Sequence, residues 1–305
     1  MPNSWLFFLK IELKQKNYPT KTGFLTNQAA PNLINLAANN EYMHTPIAPK
    51  KPQLLEIHGH QRIDDYYWIN DRENPEVIDY LNAENAYADS VLKPLEALEE
   101  RLYEELVARV KQDDASVPYL EDGWWYYTRF ETGKDYPIYA RRQGSMEAPE
   151  QVLLNVNELG EGKGYYNVGD WEVSQDNRLL AWAEDAVGRR QYTVRIKNLD
   201  TGEVYPDTIT GVSPNLVWAD DNKTLFYVEN DPETLLTVRV KKHVLGTPVA
   251  QDVLVYEEHD DSFYMGIGRT RDDQYICIGV ESTVSSESRC APAANPDNFS
   301  VLATR

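Results

Sequence analysis

The sequence has 305 residues, of which 42% are hydrophobic and 26% are charged, and its formal net charge is −19. This length and composition are typical of a globular protein with a sizeable core. Because so acidic a chain repels phosphates, we predict that it binds neither nucleic acid nor an anionic membrane, whereas basic partners remain compatible with it.

Residues 1–52 are predicted to form a disordered extension followed by a proline-rich linker. The apolar run at residues 5–9 is too short to span a bilayer, and no basic residue precedes it. Three prolines within residues 45–52 block both helix and strand pairing. Met43 is an alternative start of the chain.

Residues 53–116 are predicted to be a helical segment. Asn74, Pro75 and Glu76 form a helix start signal, with Asn as the N-cap and Pro at the first helical position. A second helix after Pro94 carries an apolar stripe, which needs a partner surface. Its members recur at three- and four-residue steps: Leu95, Leu98, Leu102, Leu106 and Val110.

From residue 117 to residue 305 the pattern becomes that of β-strands, with alternating apolar residues and frequent turn residues. The predicted strands are 123–130, 136–142, 151–155, 178–184, 191–198, 215–219, 223–229, 236–243, 252–257, 262–268 and 274–280. After Val280 the sequence predicts no clear closing strand.

A repeated acidic turn followed by an apolar strand organises this region. The aligned aspartates are Asp122, Asp176, Asp221 and Asp272, at steps of 54, 45 and 51 residues. Each step holds about four strands, which is typical of β-propeller blades of ~40–50 residues. The fold class predicted is therefore mainly β, an incomplete β-propeller of about four blades preceded by a helical segment.

The sequence contains no G-x-S-x-G nucleophile elbow. The nearest match, residues 211–215, contains a proline and is predicted to be a turn. His58 and His60 lack a third ligand, so we interpret them as part of a polar strand or turn rather than a metal site. The acidic pairs are predicted to be solvated loop residues: Asp64 with Asp65, Asp113 with Asp114, and Asp260 with Asp261. We therefore predict no catalytic, cofactor-binding or metal-binding residues in this sequence.

The two cysteines are too few for a disulfide scaffold. Cys277 lies in an apolar run and Cys290 in a polar stretch. A disulfide that closes a short loop is one alternative, but we predict two independent thiols in a reducing compartment, hence a cytoplasmic protein.

Several motifs together resemble the prolyl oligopeptidase family of serine peptidases, and within it the oligopeptidase B group rather than prolyl oligopeptidase itself. The resemblance covers about residues 50–290. The matching segments are 54–60, 64–72, 75–87, 103–106, 111–118, 125–129, 133–139, 225–228, 243–247 and 255–258.

The resemblance implies a seven-bladed propeller that covers an α/β-hydrolase domain and filters substrates by size. Members of this group cleave short peptides after Arg or Lys, with a catalytic triad in the C-terminal domain. This sequence holds about four of the seven blades and no triad position, so the resemblance implies a chain that is inactive alone. It also implies that residues 53–116 pack on the absent hydrolase domain.

Two other functions are compatible with the sequence. The chain could be a non-catalytic propeller module, or regulatory half, that pairs with a separate catalytic chain. It could also be an unrelated acidic propeller such as a sugar-binding lectin, although this leaves the helical segment unexplained.

Overall fold

The computed structural model describes residues 44–305, so the predicted extension over residues 1–43 lies outside the described residues. The chain divides into two compact units, one ending at Leu106 and one spanning Val107–Arg305. Residues 44–52 have no regular secondary structure.

The first unit contains a β-hairpin and two helices. Strands β1 (Gln53–Ile57) and β2 (His60–Asp64) pair through a tight turn, in which His58 and Gly59 have φ angles of 53° and 76°. Helix α1 (Pro75–Leu92) begins where predicted, because the Asn74 side chain accepts a hydrogen bond from the Glu76 amide at 3.0 Å. A short 3₁₀ turn around Pro94 then leads into α2 (Glu96–Val107).

The apolar stripe that was predicted on the second helix is exposed along its whole length. Leu98, its most covered member, is 42% exposed, and Leu106 is 60% exposed. Exposed leucines at helical spacing form an apolar surface that is typical of a docking face.

Within residues 107–305 the strands form four blades of four antiparallel strands. The first blade comprises β3 (Tyr119–Glu121), β4 (Trp124–Arg129), β5 (Ile138–Gln143) and β6 (Glu150–Asn155). A short helix that was not predicted, α3 (Val156–Leu159), follows it.

The second and third blades are joined into one seven-stranded sheet. Its strands in sheet order are β7 (Asn167–Val173), β8 (Leu179–Asp185), β9 (Tyr192–Asn198), β10 (Ile209–Trp218), β11 (Thr224–Asn230), β12 (Thr237–Val244) and β13 (Val253–Glu257). The first half of β10 pairs with β9, and its second half pairs with β11. One strand therefore closes the second blade and opens the third.

The prediction of a turn at residues 211–215 is wrong, because these residues lie inside β10. Pro214 sits where the register between β10 and β11 shifts, between Val212 and Leu216. A proline lacks the amide hydrogen that a ladder needs, and a bulge is a position where that loss is tolerated.

The fourth blade is complete, contrary to the prediction that no clear closing strand follows Val280. It comprises β14 (Tyr264–Arg269), β15 (Tyr275–Glu281), β16 (Ser286–Pro292) and β17 (Ser300–Ala303).

The prediction of two independent thiols is also contradicted, because Cys277 and Cys290 form a disulfide. The reason is register: Cys277 of β15 lies directly opposite Cys290 of β16, and their Cα atoms are 4.1 Å apart. Directly opposed positions on antiparallel strands bring two side chains within bonding distance.

The repeated acidic turns adopt the backbone conformation that their residue types favour. Asp122, Asn177, Asn222 and Asp273 have φ angles of 46°, 64°, 55° and 58°. Asn and Asp tolerate this left-handed region better than other side chains, so each turn can reverse the chain between the first two strands of its blade.

The hydrophobic core lies mainly between neighbouring blades. Trp218, Leu225 and Tyr227 pack with residues of β8 and β9, whereas Phe226 and Val228, on the other face of β11, pack with Ile276 and Ile278. Alternate residues of one strand thus contribute to two interfaces.

No helix within residues 44–305 is long and apolar enough to cross a membrane.

Candidate functional site

The first strands of the four blades border a cavity of about 510 Å³, which we call the channel cavity. Its walls come from β3, β7, the second half of β10 and β14, together with the turns that follow β7 and β14. The side chains used below are Tyr119, Glu121, Tyr126, Asp170, Trp171, Glu172, Arg269 and Asp273.

Asp170 of β7 holds the second blade to the third. Its Oδ2 accepts a hydrogen bond from the Leu216 amide at 3.1 Å, and its Oδ1 accepts one from the Trp171 amide at 2.9 Å. Burial raises the pKa of Asp170 to about 6, although these two amide donors act in the opposite direction. The carboxylate is therefore held by neutral donors and not by a cation.

Glu172 lies two residues further along β7, so its side chain is on the same face as that of Asp170. Burial, together with the nearby charges of Asp170 and Glu121, raises the pKa of Glu172 to about 8. Arg269 lowers it, but not enough to offset burial. Glu172 is thus an acid that a nearby cation would ionise.

Arg269 of β14 is occupied by other partners. Its Nη1 donates to the Trp218 carbonyl at 2.8 Å, and its Nη2 donates to Asp220 Oδ1 at 2.7 Å. Its Nε lies 3.3 Å from Asp273 Oδ1. Arg269 therefore joins the third and fourth blades. Because it is already paired with Asp220 and Asp273, its charge does not fully neutralise Glu172.

Aromatic rings complete the wall beside the carboxylates. Tyr119 stacks on Tyr126 with ring centroids 5.5 Å apart, and Tyr126 lies 5.9 Å from Trp171. Burial raises the pKa of Tyr119 to about 12, so its hydroxyl stays neutral and can donate a hydrogen bond. Carboxylates beside aromatic faces form an environment that attracts ammonium and guanidinium groups.

Of the acidic pairs noted in the sequence, Asp64 ends strand β2 and the other acids lie in turns and loops. Asp65 pairs with Lys50 at 2.9 Å, Asp114 with Lys111 at 3.5 Å, and Asp260 caps the Ser262 amide at 3.0 Å. His58 and His60 are exposed at the β1–β2 turn. Within residues 44–305 no group of three or more His, Cys, Asp or Glu side chains is arranged to hold a metal ion.

His243, which the sequence presents as isolated, is fully buried between two carboxylates. Its Nε2 lies 2.8 Å from Asp207 Oδ1 and its Nδ1 lies 2.7 Å from Asp252 Oδ1. Tyr227 donates a further hydrogen bond to Asp252 at 2.8 Å. The residues of this network are far apart in the sequence and close together in space, so no local sequence pattern predicts it.

The carboxylates of the channel cavity were also missed in the sequence, because strand β7 was not among the predicted strands. The available signal was the alternation of the acidic Asp170 and Glu172 with the apolar Trp171 and Val173 immediately before the second acidic turn. A strand of period 2 at that position would have placed both acids on one face.

The fold and the cavity define a β-propeller built from four-stranded blades around an acidic channel. A family model for the N-terminal β-propeller domain of prolyl oligopeptidase matches residues 46–305. The chain therefore belongs to the prolyl oligopeptidase family, and the resemblance found in the sequence is confirmed.

Two curated relatives and two solved structures place the chain within that family. It is 65% identical over 278 residues to dipeptidyl aminopeptidase BI of Pseudoxanthomonas mexicana, and 36% identical over 261 residues to protease 2 of Moraxella lacunata. These matches cover 85% and 83% of this chain. Oligopeptidase B from Leishmania major superposes with a TM-score of 0.79 at 30% identity, and that from Trypanosoma brucei with 0.78 at 26%.

The chain spans 38% of the length of both curated relatives. The match to each of the two solved structures covers 85% of this chain and 39% of the chain in that structure.

Proposed function

We propose that this chain is the propeller portion of a serine peptidase that acts on short peptides carrying a positive charge, and that the channel cavity helps to select them. The observation that carries the proposal is the pair Asp170 and Glu172, two half-buried carboxyls on one wall that lack a dedicated cationic partner within residues 44–305. A peptide cation would supply the missing charge.

The positive charge could come from either of two sources in a peptide. Cleavage after Arg or Lys, which the oligopeptidase B resemblance implies, would present a side-chain cation. The name of the 65% identical relative, a dipeptidyl aminopeptidase, points instead to a free α-amino group. Both are cations that donate hydrogen bonds to carboxylates.

The catalytic serine, histidine and aspartate would come from an α/β-hydrolase domain that is not in this sequence. The exposed stripe on α2 supports docking of such a domain, because uncovered leucines at helical spacing need a partner surface. A covalently linked domain and a separate catalytic chain could both use it.

A chimera tests the proposal. Residues 46–305 would replace the matching part of dipeptidyl aminopeptidase BI from P. mexicana, with Glu172→Gln as the test variant and Glu203→Gln, at an exposed position, as the matched control. Three fluorogenic substrates separate the sources of charge: an amino-blocked peptide ending in Arg, an unblocked neutral dipeptide, and an amino-blocked neutral peptide.

We expect Glu172→Gln to lower kcat/KM about five- to tenfold on one or both charged substrates and less than about twofold on the neutral one. The charged substrate that is affected identifies the source of the cation. An equal loss on all three substrates would contradict selection by charge. Turnover by the 305-residue chain alone, abolished by a serine-directed inhibitor, would contradict the separate catalytic domain.

A further inference from the structure

A second, smaller cavity lies between the first and second blades. Its volume is about 250 Å³, and we call it the terminal pocket. The first two blades pack directly on each other, and the pocket wall is built from their strands and from the segments that join those strands. The wall includes four tyrosines and two valines: Tyr136, Tyr139, Val156, Tyr165, Tyr166 and Val168.

Hydrogen bonds and close packing hold the wall of the terminal pocket in place. The Asn157 side chain accepts a hydrogen bond from the Tyr136 amide at 3.0 Å and donates one to the Tyr136 carbonyl at 2.8 Å. Tyr166 is buried, and its hydroxyl donates to Glu184. A Cβ atom added at Gly160 would lie 3.2 Å from Tyr166 Cβ and 3.4 Å from Tyr136 Cε2, so only a glycine fits between the two tyrosines without a shift. A wall that is already ordered loses little entropy when a ligand binds.

The terminal pocket adjoins the channel cavity. Tyr139 borders the pocket and Trp171 borders the channel cavity, and their ring centroids are 5.6 Å apart. Tyr166 immediately precedes strand β7, and Glu172 lies near the end of the same strand. At about 3.3 Å per residue, the step from residue 166 to residue 172 spans about 20 Å. An extended peptide of similar length spans the same distance.

A positive charge lies beside the terminal pocket, although the net charge of the sequence is −19. The ammonium group of Lys163 lies 4.0 Å from the centroid of the Tyr166 ring, which is part of the pocket wall. An aromatic ring attracts a cation to its face and thereby fixes the charge at the edge of the pocket.

The loop between β8 and β9 brings two more positive side chains to the same wall. A Cβ atom added at Gly188 in this loop would lie 3.4 Å from the Tyr165 ring, and Arg189 and Arg190 follow it in the sequence. The buried carboxylate of Asp185 accepts hydrogen bonds from three amides of the loop at 2.8–2.9 Å, which fixes the loop conformation. A pocket with apolar walls and cations at its edge favours a ligand that joins an apolar side chain to a carboxylate.

We propose that the terminal pocket binds the C-terminal residue of the peptide whose positive charge occupies the channel cavity. The apolar side chain of that residue enters the pocket, and its α-carboxylate pairs with Lys163 and the arginines of the β8–β9 loop. The proposal rests on the function proposed above, because the peptide is the same. It adds a second point of recognition of opposite charge, at the other end of β7.

Competition between pairs of peptides tests the proposal in the chimera described above, which also contains the rest of the relative's chain. Each substrate is a six-residue peptide with a free α-amino group and Arg at its second residue, so both sources of positive charge are present. One pair differs only in a C-terminal carboxylate or carboxamide, and the other only in a terminal Phe or Gly. Both members of a pair are digested together, and mass spectrometry gives the ratio of their kcat/KM values. A loss of folded enzyme cancels in this ratio.

We expect the chimera to prefer the carboxylate over the carboxamide about five- to tenfold, and Phe over Gly about three- to tenfold. Lys163→Gln should lower the first ratio about two- to threefold, and adding Arg189→Gln and Arg190→Gln should bring it close to one. Tyr165→Ala should lower only the second ratio. The control Arg178→Gln removes one positive charge just after the turn that follows β7, and it should leave both ratios unchanged.

Binding to the 305-residue chain provides a measurement that needs no turnover. Titration calorimetry compares N-acetyl-Ala-Ala-Phe with its carboxamide, neither of which carries a positive charge for the channel cavity. We expect the carboxylate to bind about fivefold more tightly, and Lys163→Gln to reduce this difference.

Several results would overturn the proposal. Equal kcat/KM values for the carboxylate and the carboxamide in the unmodified chimera would do so, as would a preference that the triple variant keeps. If a segment of the relative's chain fills the terminal pocket, Tyr165→Ala will lower thermal stability and change neither ratio, which also overturns the proposal. Failure of the function proposed above is distinguishable, because Glu172→Gln would then leave the preference for cationic substrates intact whatever these two ratios are.

Discussion

Arg141 of the first blade holds Asn177 in the turn of the second blade by two hydrogen bonds. Arg141 Nη1 donates to Asn177 Oδ1 at 2.7 Å, and Nη2 donates to the Asn177 carbonyl at 2.8 Å. The same guanidinium stacks 3.8 Å above the Trp124 ring and is 1% exposed. Its acceptors within the described chain are neutral oxygens, so the buried charge is held by dipoles and aromatic faces.

We predict that Arg141→Met lowers the free energy of unfolding by about 2–4 kcal/mol. The reason is that Asn177 and Gln151, which accepts from Arg141 Nε at 2.8 Å, lose their donors in a buried interface. Chemical denaturation measures the effect. Arg178→Met is the control: Arg178 pairs with Asp200 but is largely exposed, and we expect a change below about 0.5 kcal/mol. Equal effects of the two variants would show that Arg141 does not join the blades.

The turn that contains Asn177 also shows what the sequence can predict. The repeated acidic turns indicated four blades and their reversals, because Asp and Asn favour left-handed backbone locally. The N-cap of α1 was predicted from an equally local feature, because an Asn side chain accepts a hydrogen bond from an amide in the first turn of a helix. Features fixed by a few adjacent residues are therefore visible in the sequence.

Strand β16 shows why other features were missed. Its buried face carries Glu287 and Arg289, which pair with each other at 2.6 Å, and Arg289 also covers the Tyr256 ring at 4.5 Å. Paired charges replace the apolar residues that would mark a strand, so the period-2 pattern disappears. The channel cavity was missed for a related reason, since it exists only where strands of different blades meet.

Gly169 provides a packing prediction. An added Cβ would lie 2.5 Å from a ring carbon of Tyr192 and 2.6 Å from Cβ of Pro214, where the second blade closes on β10. Since Pro214 is backbone-fixed and Tyr192 is buried, neither can move freely. We expect Gly169→Ala to destabilise the protein by about 1–3 kcal/mol. Gly268→Ala, on an open face, is the control and should change stability by less than about 1 kcal/mol. A neutral Gly169→Ala variant would contradict this close approach.

His243 provides a prediction about buried charge. Both ring nitrogens face carboxylate oxygens, so either the ring carries two protons or one of the acids is protonated. We expect His243→Leu to cost about 3–5 kcal/mol, because it leaves the carboxyls of Asp207 and Asp252 buried without their shared donor. The exposed His259, changed to Leu, should have little effect on thermal or chemical denaturation.

A compensating variant keeps the His243 prediction informative if the single variant fails to fold. Changing Asp207 and Asp252 to Asn in the His243→Leu background removes any negative charge that the two carboxyls would carry. We expect this triple variant to recover part of the lost stability. If it is less stable than His243→Leu, the carboxylates are not the source of the cost.

Glu172 gives a pH-dependent prediction whose sign follows from its raised pKa. In the unfolded chain its pKa is about 4.3, whereas in the folded protein it is about 8. Between these values the folded state binds more protons than the unfolded state, so this group makes stability fall as the pH rises from about 4.3 to 8. Glu172→Gln cannot ionise, and it should therefore be more stable than the wild type at pH 8 by about 1–3 kcal/mol and similar to it at pH 5.

Urea denaturation at the two pH values measures the difference in stability between Glu172→Gln and the wild type. The control is Glu203→Gln, which should match the wild type at both pH values. A wild type and a Glu172→Gln variant that differ equally at pH 5 and pH 8 would show that Glu172 is ionised throughout, and the case for an uncompensated carboxyl in the channel cavity would be lost.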